Sequence, residues 1–120
     1  MTGVQTCALP ISFGTDVPVE SVNPFPGLAA AVTREDTTGQ PFGGWLPDER
    51  ISRPQAWKAY TVDSAYASFA SDRIGSLEPG KRADFMIISA DLMLVAAQEI
   101  RNIEIIETWV GGKPAYVRQK

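Results

Sequence analysis

The sequence predicts a mixed α/β chain, on three observations. Apolar residues recur at helical spacing across residues 25–33 and 53–69. Strand-length apolar runs, "FMIIS" and "IEIIETWV", fill the last third. Gly111 and Gly112 sit between two such runs, where a hairpin needs residues that accept positive φ.

The elements follow in order. "ISFGTDVPVESVNPFPGLAAAVTRED" reads as a short apolar run, a turn-rich acidic loop and a helix. Pro24 and Pro26 suit the start of that helix, and Leu28, Ala29 and Val32 give it an apolar face. "TTGQPFGGWLPDER" is an irregular loop by its Gly and Pro content, with Phe42 and Trp45 expected to pack. "ISRPQAWKAYTVDSAYASFASD" is helical. Ser52 and Gln55 have the spacing of a capping box, and Pro54 is tolerated in a first turn. Thr61 is expected to cap a second short helix, and Ala56, Tyr60, Ala65, Tyr66 and Phe69 to line the core. Beyond Gly80 come the strands, with Ile105 and Ile106 breaking alternation where a bulge or two-sided burial is expected.

Composition narrows the function. The chain has 120 residues, 44% apolar and 21% charged, with a net charge of -3. That suffices for a small domain and is too short for a complete barrel of ~250 residues. The mild acidity argues against nucleic acid or an anionic membrane as partner, since no basic stripe exists. Cys7 is the single cysteine, so no intramolecular disulfide forms. Histidine is absent altogether. The chain therefore lacks the commonest zinc ligand and the commonest base near neutral pH.

"GSLEPGKR" imitates a phosphate loop, but Arg82 stands where Ser or Thr would bind magnesium. It also follows a helix and opens a strand, the reverse of the required context. It reads as a turn with Lys81 solvated. Nucleotide binding is rejected.

Four segments in order carry a resemblance: "FGTDVPVESVNPFPGLAAAVTRED", "AWKAYTVDSAYASF", "GSLEPGKRADFMIIS" and "ETWVGGKPAYV". Together they resemble the C-terminal end of metal-dependent amidohydrolases. The nearest likeness is to the amidohydrolase 3 group, YtcJ-like enzymes related to N-substituted formamide deformylase. The resemblance implies that residues 13–74 hold the last strand and following helices of a TIM-like (β/α) barrel. Residues 75–120 would then be the C-terminal part of a small β-sandwich composite domain, leaving the fold incomplete. "FGTDVPV" resembles the final barrel strand, and Asp16 falls on the carboxylate that ends it. The resemblance gives Asp16 two roles, metal ligand and base for a metal-activated water. Asp84 falls in the β-domain, where it implies a turn or ion-pair role.

The implied activity is hydrolysis of carbon–nitrogen bonds other than peptide bonds, on a small amide-like substrate. The implied cofactor is a divalent metal, zinc, in the intact enzyme. None is expected for these residues alone, because the family's metal-binding histidines lie on earlier strands, and the segment is expected to be inactive by itself. The Leu28–Val32 face is expected to stand uncovered without its barrel partners. The alternative is a non-catalytic β-rich binding or scaffold module.

The opening "MTGVQTCALPIS" has no basic residue before its apolar run, unlike a secretory signal, and that run is too short to span a bilayer. Reverse-translated, "QTCALPI" matches a widely used sequencing-adaptor oligonucleotide. Residues 1–12 are therefore expected to derive from an adaptor, with Ser12 at the junction. From the histidine-free composition, calorimetric titration of this chain with zinc should show no stoichiometric, submicromolar complex; such a complex would contradict the reading.

Overall fold

Helix α1 (Phe25–Thr33) starts where the sequence places it, with proline in its first turn. Asn23 steadies this start, its Oδ1 accepting from the Phe25 amide at 3.1 Å. The structure, a computed structural model, describes residues 11–119. Cys7 and residues 1–10 of the expected adaptor segment lie outside the described residues. α1 ends at Arg34, whose left-handed backbone (φ 61°) turns the chain away while its amide donates to the Ala30 carbonyl.

The buried face of α1 carries Phe25, Leu28 and Ala29. It meets a 3₁₀ turn, Ala97–Asn102, whose Ile100 is 0% exposed. Leu92, Ile103 and Ala56 complete the cluster, and Val32 packs at its margin. The Leu28–Val32 face is thus covered, against expectation. The last third of the chain folds back over it and removes from water an area that would otherwise be open.

Helix α2 (Arg53–Tyr60) opens on the capping box read from the sequence. The Ser52 hydroxyl oxygen accepts from the Gln55 amide, and Gln55 Oε1 accepts from the Ser52 amide at 2.9 Å. Before it, the Ile51 amide donates to the Ala31 carbonyl, laying the start of α2 along α1. At Thr61 (φ -120°, ψ -86°) the helix breaks, and α3 (Val62–Ala67) follows. Thr61 makes no side-chain cap to α3; its hydroxyl donates back to the Trp57 carbonyl at 2.8 Å.

The expected aromatic core along these helices is corrected in part. Ala56, Ala59 and Ala65 are buried, but Tyr66 is exposed and Phe69 is 92% exposed. α3 ends at Ala67, so Phe69 lies beyond it in left-handed backbone (φ 56°), where helical spacing no longer decides orientation. Phe42, expected to pack, is 90% exposed. Its loop is held by polar bonds instead: Asp36 Oδ1 accepts from the Thr38 amide, the Thr38 hydroxyl and the Gln40 amide. Trp45 does find a partner, the Arg34 guanidinium 5.0 Å from its ring centre.

Three antiparallel strands form one sheet in the order β1 (Phe85–Ile88), β2 (Ile105–Val110), β3 (Lys113–Val117). Gly111 and Gly112 turn the β2–β3 hairpin at φ 58° and 75°, the positive pair such a turn requires. Ile88 faces Ile105 and Ile87 faces Glu107, which leaves Ile106 as the extra residue of a bulge. Phe85 faces Trp109 and stacks on it at 5.6 Å. In the turn before β1, Lys81 is not solvated: 18% of its side chain is exposed, and Nζ lies 2.7 Å from the Ser76 hydroxyl and 3.0 Å from Glu78.

"FGTDVPV" forms no strand; residues 13–15 are irregular and 16–19 make a turn. A strand needs a neighbour to take its backbone groups, and none lies beside this segment among the described residues. The helices and the sheet share one core, since Ile88 of β1 and Ile105 of β2 pack against the cluster of Phe25, Leu28, Ala56, Leu92, Ile100 and Ile103. Ile100→Ala should therefore cost about 2–5 kcal/mol in chemical denaturation, while Phe69→Ala should stay within about 0.5 kcal/mol. Equal losses would place the core elsewhere.

Candidate functional site

Asp16 stands at the head of a tight turn, and its chemistry begins with its backbone. It adopts φ 51°, a left-handed conformation that Asp tolerates better than most residues. Its carbonyl accepts from the Val19 amide at 2.8 Å, closing the turn. The residue is exposed, and among the described residues no side chain pairs with its carboxylate.

What holds this turn in place lies three residues earlier. The Phe13 amide donates to the Ala59 carbonyl at 3.0 Å, and the Phe13 carbonyl accepts from the Ser64 hydroxyl at 2.9 Å. The Phe13 ring meets Tyr60 edge-on at 5.5 Å. Tyr60 in turn reaches α1 at Gly27, where a Cβ would come within 2.3 Å of its phenol oxygen. A side chain there would have to displace the Tyr60 phenol, while the backbone angle makes no demand for glycine. Burial pushes the Tyr60 phenol above its ordinary value.

Beside Gly14 and Thr15 opens a cavity of about 500 Å³, walled by Asn23, Gly27, Tyr60 and Arg101. Its floor holds a buried ion pair. Glu35 is 4% exposed and Arg101 13%, with Oε2 and Nη2 3.5 Å apart. Glu35 Oε1 also accepts from the Gly43 amide, and Arg101 donates to the Gln98 and Asp36 carbonyls. Nη2 has no aligned acceptor, so the pair is held by charge more than by a hydrogen bond. Asp36, next to it, is held below the ordinary carboxylate range by the Thr38 hydroxyl, then by the Gln40 and Thr38 amides.

Asp84 is far from this cavity in role. Its Oδ1 accepts from the Gly111 amide at 2.7 Å and lies 3.6 Å from Arg82 Nη2. It pins the β2–β3 turn to the start of β1, the turn and ion-pair role expected of it.

Sequence reasoning missed the Phe13–Ser64 clasp and the Glu35–Arg101 pair. Both join positions remote in sequence. The clasp runs through backbone carbonyls, which leave no trace in residue type. A single serine among alanines carries the only written sign of it.

The chain belongs to the Amidohydrolase family: the model of the amidohydrolase 3 group matches residues 8–116. It is 36% identical to the protein LONG AFTER FAR-RED 3 of Arabidopsis thaliana over 88% of this chain. It is 32% identical to N-substituted formamide deformylase of Arthrobacter pascens over 90% of this chain. These matches cover 18% and 19% of the two relatives, so the chain spans about a fifth of their length. A crystal structure of an amidohydrolase from Thermotoga maritima MSB8 superposes with a TM-score of 0.50 and 25% identity, over 60% of this chain and 17% of that one. The likeness to an amidohydrolase 3 enzyme read from the four sequence segments is thereby established.

Among the described residues no three His, Cys, Asp or Glu side chains cluster. An exposed, unpaired carboxylate such as Asp16 fits as one ligand of a divalent cation whose remaining ligands come from elsewhere. Among the described residues no helix is long and apolar enough to cross a membrane.

The buried phenol sets a pH test. The folded state holds the Tyr60 proton at pH values where the unfolded chain has begun to release it. Stability should therefore fall as pH rises from the unfolded value through the folded one. Denaturation midpoints measured across that range should fall less in Tyr60→Phe than in the parent; identical slopes would show that the phenol is not buried.

Proposed function

We propose that these residues are the C-terminal part of an enzyme that hydrolyses carbon–nitrogen bonds, other than peptide bonds, in small amide-like molecules. The family match across residues 8–116 is the observation that carries this reading. The deformylase likeness supports the choice of bond, since that relative is named for removing a formyl group from nitrogen. In the proposed enzyme, residues 13–74 close a (β/α) barrel and residues 75–120 contribute strands to a β-sandwich.

Asp16 carries the chemistry. Its carboxylate is one ligand of a divalent metal, zinc, completed by side chains outside these residues. When bound, that metal polarises the carbonyl and lowers the pKa of water. Asp16 accepts the proton that the attacking water loses and passes it to the departing nitrogen. A carboxylate suits both steps, being anionic beside a cation and able to hold a proton briefly. The likeness of "FGTDVPV" to the family's final barrel strand, inside the matched residues 8–116, supports this role. These residues alone are inactive in the proposal, for want of the other ligands.

The test restores the missing part. Residues 13–120 are grafted onto the barrel of N-substituted formamide deformylase, and turnover of a formamide is measured. Asp16→Asn should keep the fold, since Asn shares its size and turn preference, yet lower kcat by about 10²–10⁴-fold. Asp84→Asn should leave kcat nearly unchanged and lower stability, because its bond to Gly111 is structural. Equal, small effects of both substitutions would make Asp16 a turn residue only.

A further inference from the structure

Helix α2 stops at Tyr60, and the break has a use. At Thr61 the backbone leaves the helical region (φ -120°, ψ -86°), so α3 starts at an angle to α2. The Ala59 carbonyl, released from the helical ladder, accepts instead from the Phe13 amide at 3.0 Å. Ser64, in the first turns of α3, places its hydroxyl 2.7 Å from that same carbonyl and 2.9 Å from the Phe13 carbonyl. The hydroxyl's one proton is shared between the two carbonyls, of which the Phe13 carbonyl has no other protein donor among the described residues. Both backbone groups of Phe13 are then bound to the α2–α3 elbow.

We propose that Ser64 is the positioning residue for Asp16: through the Phe13 carbonyl it fixes the direction in which the Gly14–Thr15–Asp16 segment leaves the helical block. Among the described residues it makes the only side-chain hydrogen bond to residues 13–16. Downstream, the segment has just the Asp16–Val19 turn, which shapes the carboxylate's backbone but ties it to nothing else. Gly14 adds freedom between anchor and carboxylate, so the anchor must be firm. The proposal rests on the reading of Asp16 as the metal-side base, and it assigns a role to a serine whose hydroxyl would otherwise pass for a helix-capping group. Ser68 supplies the contrast. Its hydroxyl bonds the Ser64 and Ala65 carbonyls, both within the same stretch of helix.

The test uses the 120-residue chain and nuclear magnetic resonance, with no activity needed. In Ser64→Ala, amide hydrogen exchange at Phe13 should quicken about fivefold to tenfold, the loss of one hydrogen bond's net contribution. The order parameters of the Thr15 and Asp16 amides should fall below that of rigid backbone. Exchange at Ile100 in the core should not change, which separates positioning from a general loss of stability. Ser64→Thr, which keeps a hydroxyl, should restore the parent values, and Ser68→Ala should leave Phe13 and Asp16 unaltered. An Asp16 amide as rigid in Ser64→Ala as in the parent would overturn the proposal. So would an equal response to Ser68→Ala. An inert Asp16→Asn in the grafted enzyme would instead overturn the reading of Asp16 as base, whatever the exchange data show.

Discussion

The contact between Ile100 and the α1 face of Phe25 and Leu28 is the one on which the remaining structure depends. All three side chains are almost fully excluded from water. Each such burial contributes about 1.5–3 kcal/mol, and among the described residues no other large side chains are so enclosed. The contact also fixes the topology. It brings the chain after β1 back across α1, so that the sheet and the helices share a core rather than forming two bodies. Arg101, the next residue, is thereby delivered to Glu35 at the end of α1. A buried ion pair contributes little net stability, since desolvation offsets most of the attraction, but breaking it leaves an uncompensated charge. The pair therefore enforces the fold's register once the apolar contact has formed it.

Legibility in the sequence follows the range of the interaction. The capping box at Ser52 and Gln55, the Gly111–Gly112 turn and the bulge at Ile106 all arise from neighbours in the chain, and all were readable. The prolines before α1 were readable for the same reason. Ile100 was not, because a single buried residue in a short 3₁₀ turn has no period to betray it. Phe69 misled, since an aromatic residue at helical spacing suggests a core and α3 ends at Ala67, before that residue; Phe42 in its loop and Tyr66 on α3 are exposed as well. Lys81 misled in the opposite way: a lysine in a Gly-Pro turn suggests solvent, yet Ser76 and Glu78 hold its ammonium close.

The candidate site divides along the same line. Asp16 was found through its neighbours in the segment "FGTDVPV", which a family likeness can match letter by letter. Its anchor was not, because hydrogen bonds to the carbonyls of Phe13 and Ala59 do not depend on which side chains those residues bear. The carboxylates of this chain also sort by partner. Glu35, Asp36, Asp63, Glu78 and Asp84 each hold a cation, a hydroxyl or a backbone amide. Asp16 shares its lack of a side-chain partner, among the described residues, with Glu20, Asp48 and Glu49, and the family segment alone singles it out.

Strand β3 is exposed along its whole length and forms an outer edge of the sheet. Such an edge offers unpaired amides and carbonyls to any passing strand, and Tyr116 and Val117 would make the encounter sticky. Pro114 lies in the middle of the first half of that strand, opposite Trp109. Proline is accommodated in a sheet where its nitrogen faces away from the partner strand. The outer rim is thus missing a donor at that rung, and the register shift beside Trp109 twists the rungs that follow. A newcomer strand would meet an interrupted ladder, with a lysine at its first rung. The residue that least resembles a strand former is thus the one that offers no amide at that rung.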